Sequence, residues 1–418
     1  LDRLKNEGYF YGAILYAFVI PFPEKFVTAA MIVWLILSLF SYKKESLTKN
    51  RLLWLLPFFY LLYFSGLFTS ESVSWKFIEY KLSMLLFPLL FFLHNYDVER
   101  RKKIWKAFIW GLCISGLLCL FLALYNSMNM QNGELIFQAN VLKDRNFFES
   151  ILYGGNYFFG KHLSVFHQTI YFALYFTFGM TALLFHSELF KKSTRLLLFL
   201  FFTLLVFLIS NKASFIALAL TVVVWISTAK INRAKKTIGF VIGLSTILAL
   251  IMINPRAKES IKNLEEGKLG IDKNARYGFG PRLLSWDAAL SLIKERPIIG
   301  YGLGDAQTKL NETYARKDYK EPLKNSFNAH NLWLQTWIEN GIFAVLLLFV
   351  IFAILFHKSS SPQLNKGFIL CLVLILLMNS LFESVFSRFS GVSFFAFAIC
   401  FLFTYPSITK ETHQAHET

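Results

Sequence analysis

The sequence predicts an all-α polytopic membrane protein of about twelve transmembrane helices, on three observations. The 418 residues are 55% hydrophobic and 17% charged, with mean hydropathy +0.48, whereas a soluble domain carries about 25% charged residues. Apolar runs of near-spanning length recur along almost the whole chain. Basic residues alternate between rich and poor connections, as they do when successive loops face opposite sides of a bilayer. The formal charge of +17 would suggest nucleic acid in a soluble chain; here its placement in short loops assigns it to the membrane surface.

In order, spans are expected at 9–22, 26–42, 52–68, 73–93, 104–125, 168–185, 196–210, 214–228, 237–253, 331–356, 368–382 and 392–405. The runs are continuous rather than alternating, which selects helices over an outer-membrane barrel. The even-numbered connections and the termini hold 21 Lys and Arg, including Lys43, Arg100 and Lys235. Five stand opposite: Lys25, Lys76, Lys81, Lys212 and Arg388. Both termini are therefore expected in the cytoplasm. The other 17 basic residues lie in two long outward segments, 126–167 and 254–329, whose length escapes the charge rule. The chain thus reads as one transmembrane domain over 1–418. The shorter outward loop follows the fifth span, and the larger, helical one lies between the ninth and tenth. Long loops on a rigid scaffold are where function concentrates.

Spans almost free of charge argue against an ion-coupled carrier. Cations gather instead at outward helix ends, at Lys81, Lys212 and Arg388 beside His330, with Arg276 and Arg282 in the large loop. From Pro281 to Lys294 the residues Leu283, Trp286, Ala289, Leu290 and Ile293 recur at helical spacing. That helix is expected to lie on the membrane face, with Arg282 near its start aimed at the bundle mouth or at lipid headgroups. The run Gly300-Tyr-Gly-Leu-Gly304-Asp305 has the glycines of a phosphate loop but neither a preceding strand nor Gly-Lys-Ser. It reads as a turn ending at Asp305, the N-cap of a short helix.

Asn328 to Gly341 opens the tenth span. Asn328 is expected to cap that helix, and His330 to lie in its first turn, where the positive helix end favours a neutral imidazole suited to general-base work. A local capping role is the alternative. His162 and His167 flank the sixth span without the close ligand pair and carboxylate of a zinc site, so neither metal nor cofactor is expected. Lys212, in the turn Ser210-Asn-Lys-Ala-Ser214, is either a snorkelling anchor or an anion ligand. Paired with Arg282 it would suit a pyrophosphate.

These residues resemble the bacterial O-antigen ligase and polymerase superfamily of polytopic envelope proteins. The likeness rests on about twelve spans and one large outward loop before the tenth. Within them stand Arg282-x-x-x-Trp286, then Pro297-Ile-Ile-Gly-Tyr-Gly-Leu-Gly304, and Ala329-His-Asn with Glu339-Asn-Gly341 downstream. It is specific from about residue 210 to 341. The resemblance implies a GT-C-like, metal-independent, inverting glycosyltransferase of lipopolysaccharide biosynthesis. Such an enzyme moves a glycan from undecaprenyl pyrophosphate to lipid A core at the periplasmic face of the bacterial inner membrane. In the family's ligases the residue at the position of His330 is the proposed base and two Arg bind the pyrophosphate. Arg282 matches the second; the first aligns with Lys212, which keeps the charge but loses the bidentate fork. Lys81, Arg276, Arg388, His167, Tyr171, Trp286 and Glu339 are supporting candidates. Tyr171, Trp286 and Trp333 offer apolar platforms for sugar rings, with aromatic packing as the alternative. Glu339, about two and a half turns below His330, is expected to bond a neighbouring helix.

Superfamily polymerases use the same donor and carry Arg-x10-Gly in two large outward loops. Among the outward Arg residues only Arg256, with Gly267, has that spacing here, which favours a ligase and leaves polymerase as the alternative. A lipid-oligosaccharide flippase or carrier would be expected to show an internal repeat and a mid-membrane ion site; neither is evident.

Overall fold

The computed structural model describes residues 2–44, 47–72, 75–131, 133–141, 146–152, 155–229, 232–254, 273, 275, 279–360 and 366–404. Helices dominate it. They are α1 (Asp2–Val19), α2 (Glu24–Phe40), α3 (Leu55–Ser65), α4 (Trp75–Lys81), α5 (Ser83–Leu93), α6 (Val98–Ser127), α7 (Phe147–Leu152), α8 (Thr169–Phe185) and α9 (Lys192–Ile209). After these come α10 (Lys212–Thr228), α11 (Arg233–Ile253), α12 (Gly280–Glu295), α13 (Gly302–Arg316), α14 (Lys320–Lys324), α15 (Leu332–Ser359), α16 (Lys366–Phe382) and α17 (Phe389–Phe403). Three, α6, α9 and α15, are long and apolar enough to cross a membrane; α8, α10, α16 and α17 are shorter apolar helices. This is the composition of a helical membrane protein.

Two expectations are corrected. The span expected over 73–93 is divided into α4 and α5, interrupted at Leu82. The Leu82 carbonyl accepts from both Leu85 N and Leu86 N, and Pro88, inside α5, has no N–H for the carbonyl four residues back. The chain also holds a little β-structure: Met128–Gln131 pairs antiparallel with Glu134–Phe137, closed by the Gln131–Glu134 pair. Gly133, between the two strands, takes φ +84°, a conformation that favours glycine.

The chain divides into two compact units, Leu1–Leu37 with Glu99–Glu266 and Ser38–Val98 with Gly267–Thr418. In the first, α8 is buried on nearly every side. Its Phe172 and Phe176 meet edge-on at 4.9 Å, and Phe176 meets Phe202 of α9 at 5.2 Å.

In the second unit α12 and α13 build the helical part of the large loop. Pro281 stands at the start of α12 and Pro297 just beyond its end, so both bracketing prolines sit where expected. The face that packs overlaps the expected stripe in part: Ala289 and Ile293 are buried with Leu284, Ala288 and Leu292, while Leu290 is exposed. The buried face packs on protein, against Leu310 and Tyr314 of α13. Asp287, on its flank, accepts from Lys317 Nζ at 2.5 Å and Tyr319 Oη at 2.6 Å.

The glycine-rich run is a backbone clasp. Gly300 and Gly302 adopt φ +68° and +79°, conformations that favour glycine. Asp305 is not the N-cap of α13, which begins at Gly302; its carboxylate accepts from Glu71 N at 2.6 Å, Ser72 N at 3.1 Å and Ser72 Oγ at 2.5 Å. A Cβ on Gly304 would fall 1.6 Å from the Ser72 carbonyl oxygen. Nearby, α15 is broken at Gly341 (φ +71°, ψ −168°). The freed Ile342 N–H donates to the carbonyls of Pro297 and Ile298, and Tyr301 N–H donates to the Ile338 carbonyl at 2.7 Å.

A Cβ on Gly341 would meet the Ile298 oxygen at 1.9 Å. Gly341→Ala is therefore expected to cost about 1–3 kcal/mol of backbone strain beyond the clash itself, read as a lower thermal midpoint in detergent. An unchanged midpoint would contradict the tight helix-break geometry.

Candidate functional site

The candidate site lies in the second unit, where the chain turns from the α13–α14 region into α15. Asn331, not Asn328, caps α15: its side chain accepts from Trp333 N at 2.9 Å and Leu334 N at 3.1 Å. Asn331 also donates to the Leu381 carbonyl at 3.1 Å, which ties the cap to the end of α16. His330 consequently precedes the helix instead of occupying its first turn. It adopts φ +44°, a left-handed conformation uncommon outside glycine.

That conformation is held by the capture of three successive backbone N–H groups. Ala329 N donates to Gln335 Oε1 at 2.9 Å, His330 N to Asn328 Oδ1 at 2.9 Å, and Asn331 N to Ser384 Oγ at 3.2 Å. The Phe327 carbonyl accepts from Tyr314 Oη and Gln307 Nε2 of α13. The links come from α13, α15 and the segment after α16 as well as from the loop itself, so the loop is fixed from both sides.

The imidazole points to Glu383, just beyond α16. His330 Nδ1 lies 3.3 Å from both carboxylate oxygens. A carboxylate only accepts, so it fixes Nδ1 as the protonated nitrogen and leaves Nε2 as the basic one. The His330 ring also meets Phe327 edge-on at 5.1 Å. Burial pushes the Glu383 carboxyl upward, but His330, Arg282 and the Ser384 N–H outweigh it and hold the carboxyl below its usual range.

Arg282, half-buried in the first turn of α12, is a cation attracted to the same Glu383 carboxylate. Trp286, one turn on, stacks edge-on with Phe279 at 5.3 Å, and Phe279 meets Phe382, the neighbour of Glu383, at 6.4 Å. His330 and Arg282 thus share one buried carboxylate, with Trp286 linked to its neighbour Phe382 through Phe279. Composition and loop counting missed that carboxylate. The available signal was a lone acid at the end of an otherwise uncharged apolar run.

The remaining candidates are placed differently. Lys81 does not face outward at a rim. It is 2% exposed, donates to the Phe386 carbonyl at 2.9 Å and lies over the Tyr63 ring at 4.4 Å. Glu339 is buried near it and accepts from Gln335 Nε2 at 2.8 Å, a bond within its own helix rather than to a neighbour. Arg388 is exposed at the start of α17. Trp333 donates to Ser380 Oγ at 3.0 Å.

Lys212, His167 and Tyr171 belong to the first unit. Lys212 is exposed at the first position of α10, beside the Asn211 cap and Ser210 at φ +57°. His167 is buried, and burial pulls it down to about 4 against the opposing pull of Glu24 and of the Phe22 and Ile20 carbonyls. Tyr171 is 1% exposed, in keeping with aromatic packing. Arg276, Arg256 and Gly267 lie outside the described residues.

Comparison with known proteins bears on the same segment. Residues 196–349 match the family described as O-antigen ligase, a range that contains Lys212, Arg282, Trp286, His330 and Glu339. This segment is thus similar to the O-antigen ligases. The chain is 28% identical over 228 residues to the O-antigen ligase of Salmonella typhimurium, covering 52% of this chain and 54% of that one. It is 26% identical over 142 residues to an uncharacterized protein of Haemophilus influenzae, covering 32% and 36%. The alignments thus span about half of the ligase and about a third of the second relative. Glu383 and Lys81 lie outside the segment that carries the superfamily match.

Because its folded value is depressed, Glu383 contributes stability that is present above the ordinary glutamate pKa of about 4.3 and is lost as pH falls through the lower folded value. Thermal midpoints measured across that range are expected to fall for the native protein and to fall less for Glu383→Gln. Parallel profiles for the two would remove the His330–Glu383 pairing.

Proposed function

We propose that the protein is an O-antigen ligase: a metal-independent, inverting glycosyltransferase acting at the periplasmic face of the inner membrane. It transfers a glycan from undecaprenyl pyrophosphate to lipid A core. The observation that carries this reading is the His330–Glu383 pair, held in a strained loop with Arg282 beside the same carboxylate. The ligase match over the segment containing His330 and Arg282 supports it.

In this reading His330 Nε2 takes the proton from an acceptor sugar hydroxyl while Glu383 orients the ring and balances the charge that forms on it. The acceptor oxygen bonds to the anomeric carbon from the face opposite the pyrophosphate, and the bond from that carbon to the phosphate oxygen breaks. The departing charge falls to Arg282, whose guanidinium is suited to bidentate phosphate contact. Lys212, on the family likeness, is the second donor-binding cation; Trp286 offers an apolar surface beside Arg282. About twelve spans with both termini cytoplasmic complete the proposed topology.

The test is transfer of a labelled glycan from polyprenyl pyrophosphate in proteoliposomes containing lipid A core. Label is expected on lipid A core with the native protein, and His330→Ala is expected to lose roughly 10²–10⁴-fold in rate. Arg282→Ala should weaken donor use more than Arg282→Lys. Longer glycans that remain on polyprenyl pyrophosphate would make the protein a polymerase, and native turnover by His330→Ala would overturn the base assignment.

A further inference from the structure

The segment Pro297–Gly300 joins the helical loop region to the break in α15, and its contacts are unusual for a surface connection. The Pro297 carbonyl accepts from Trp337 Nε1 at 2.8 Å and from Ile342 N at 3.1 Å, and the Ile298 carbonyl accepts from Ile342 N at 3.2 Å. A Cβ at Gly300 would stand 2.5 Å from the Ile338 oxygen. The segment is therefore wedged into the helix break, backbone against backbone. Its two large side chains turn away from this contact: Ile298 is 59% exposed and Ile299 57%.

Helix geometry fixes the depth. The apolar run of α15 ends before His357 and Lys358, and a hydrocarbon core about 30 Å thick takes about 20 residues at 1.5 Å each. Counting back from Phe356 places the outer boundary near Trp337, a residue type suited to that interface. The break at Gly341, about four residues further in, then lies roughly 6 Å inside the hydrocarbon edge. From it runs the exposed apolar stripe Phe343, Leu346, Phe349 and Val350, at the spacing of a lipid-facing helix side. Backbone at that depth has no water to bond. The wedge supplies the Ile342 N–H with acceptors, and Tyr301 N–H, directly after it, donates to the Ile338 carbonyl.

We propose that Pro297–Gly300 is a membrane-inserted wedge whose Ile298 and Ile299 side chains enter the acyl region of the outer leaflet just below the headgroups. The inference rests on the reading of α15 as a span. By seating the end of α12, the wedge sets the height of Arg282 and of the α15 entry relative to the bilayer.

The test is site-directed fluorescence in proteoliposomes. Ile298→Cys, Ile299→Cys and, as a span control, Phe349→Cys each carry a thiol-linked fluorophore, with the labelled native chain subtracting any signal from its four cysteines. Emission at 298 and 299 is expected to be lost to a nitroxide placed near the headgroup on phospholipid acyl chains, and to be largely retained with iodide in water. Quenching by iodide instead, or by neither agent as when a second copy or another protein covers the pair, overturns the wedge while the Phe349 control preserves the span. Iodide quenching at Phe349→Cys would overturn the span reading, and the wedge with it. Ile299→Leu is expected to retain glycan transfer and Ile299→Asp to lose it; equal transfer by the two would contradict insertion.

Discussion

Three consecutive backbone N–H groups with no helix to receive them are the constraint on which the candidate site depends. Those of Ala329, His330 and Asn331 stand just before α15, where an unsatisfied buried donor costs about 1–3 kcal/mol. Each is taken by a side chain from a different position, Gln335, Asn328 and Ser384. These bonds hold His330 at φ +44°, and with the backbone so fixed the ring has Glu383 as its acceptor. Asn331 completes the arrangement by capping α15 and donating to the end of α16. Geometry that would be costly for an isolated loop is over-determined by its surroundings, as expected where strain serves a functional group.

A similar economy of backbone bonding governs the glycine-rich run. Glycines at 300, 302 and 304 permit approaches that a Cβ would block, and Asp305 receives the N–H groups of Glu71 and Ser72. The run is a clasp between backbones. It joins the loop after α3, the start of α13 and the break in α15, and so carries the α12–α13 region, with Arg282, as one piece with the His330 loop. The buried Lys81 and Glu339 lie within this same unit: Glu339 orients the Gln335 amide that in turn holds Ala329 N.

Much of this was legible in the sequence. Hydropathy exposed the helical membrane character, the bracketing prolines gave α12, and the segment around His330 and Arg282 carried the family likeness that the comparisons support. What escaped did so for identifiable reasons. Either Asn328 or Asn331 could cap by composition, and only the contacts with Leu381 and Ser384, some fifty residues away in sequence, decide between them. The α12 stripe was met only in part, at Ala289 and Ile293, because helical spacing alone does not say which neighbour covers the face. Glu383 stands alone in its stretch of sequence, and its meaning comes from His330 and Arg282 arriving beside it in space.

The central claim is that Glu383 acts through His330. The most direct test is a double-mutant cycle on the single-turnover rate of glycan transfer, comparing native protein, His330→Ala, Glu383→Gln and the double variant. Glu383→Gln is expected to slow transfer in the native background and to have no further effect once His330 is absent. Equal losses from Glu383→Gln in both backgrounds would show that the carboxylate works independently of the imidazole, and would contradict the account.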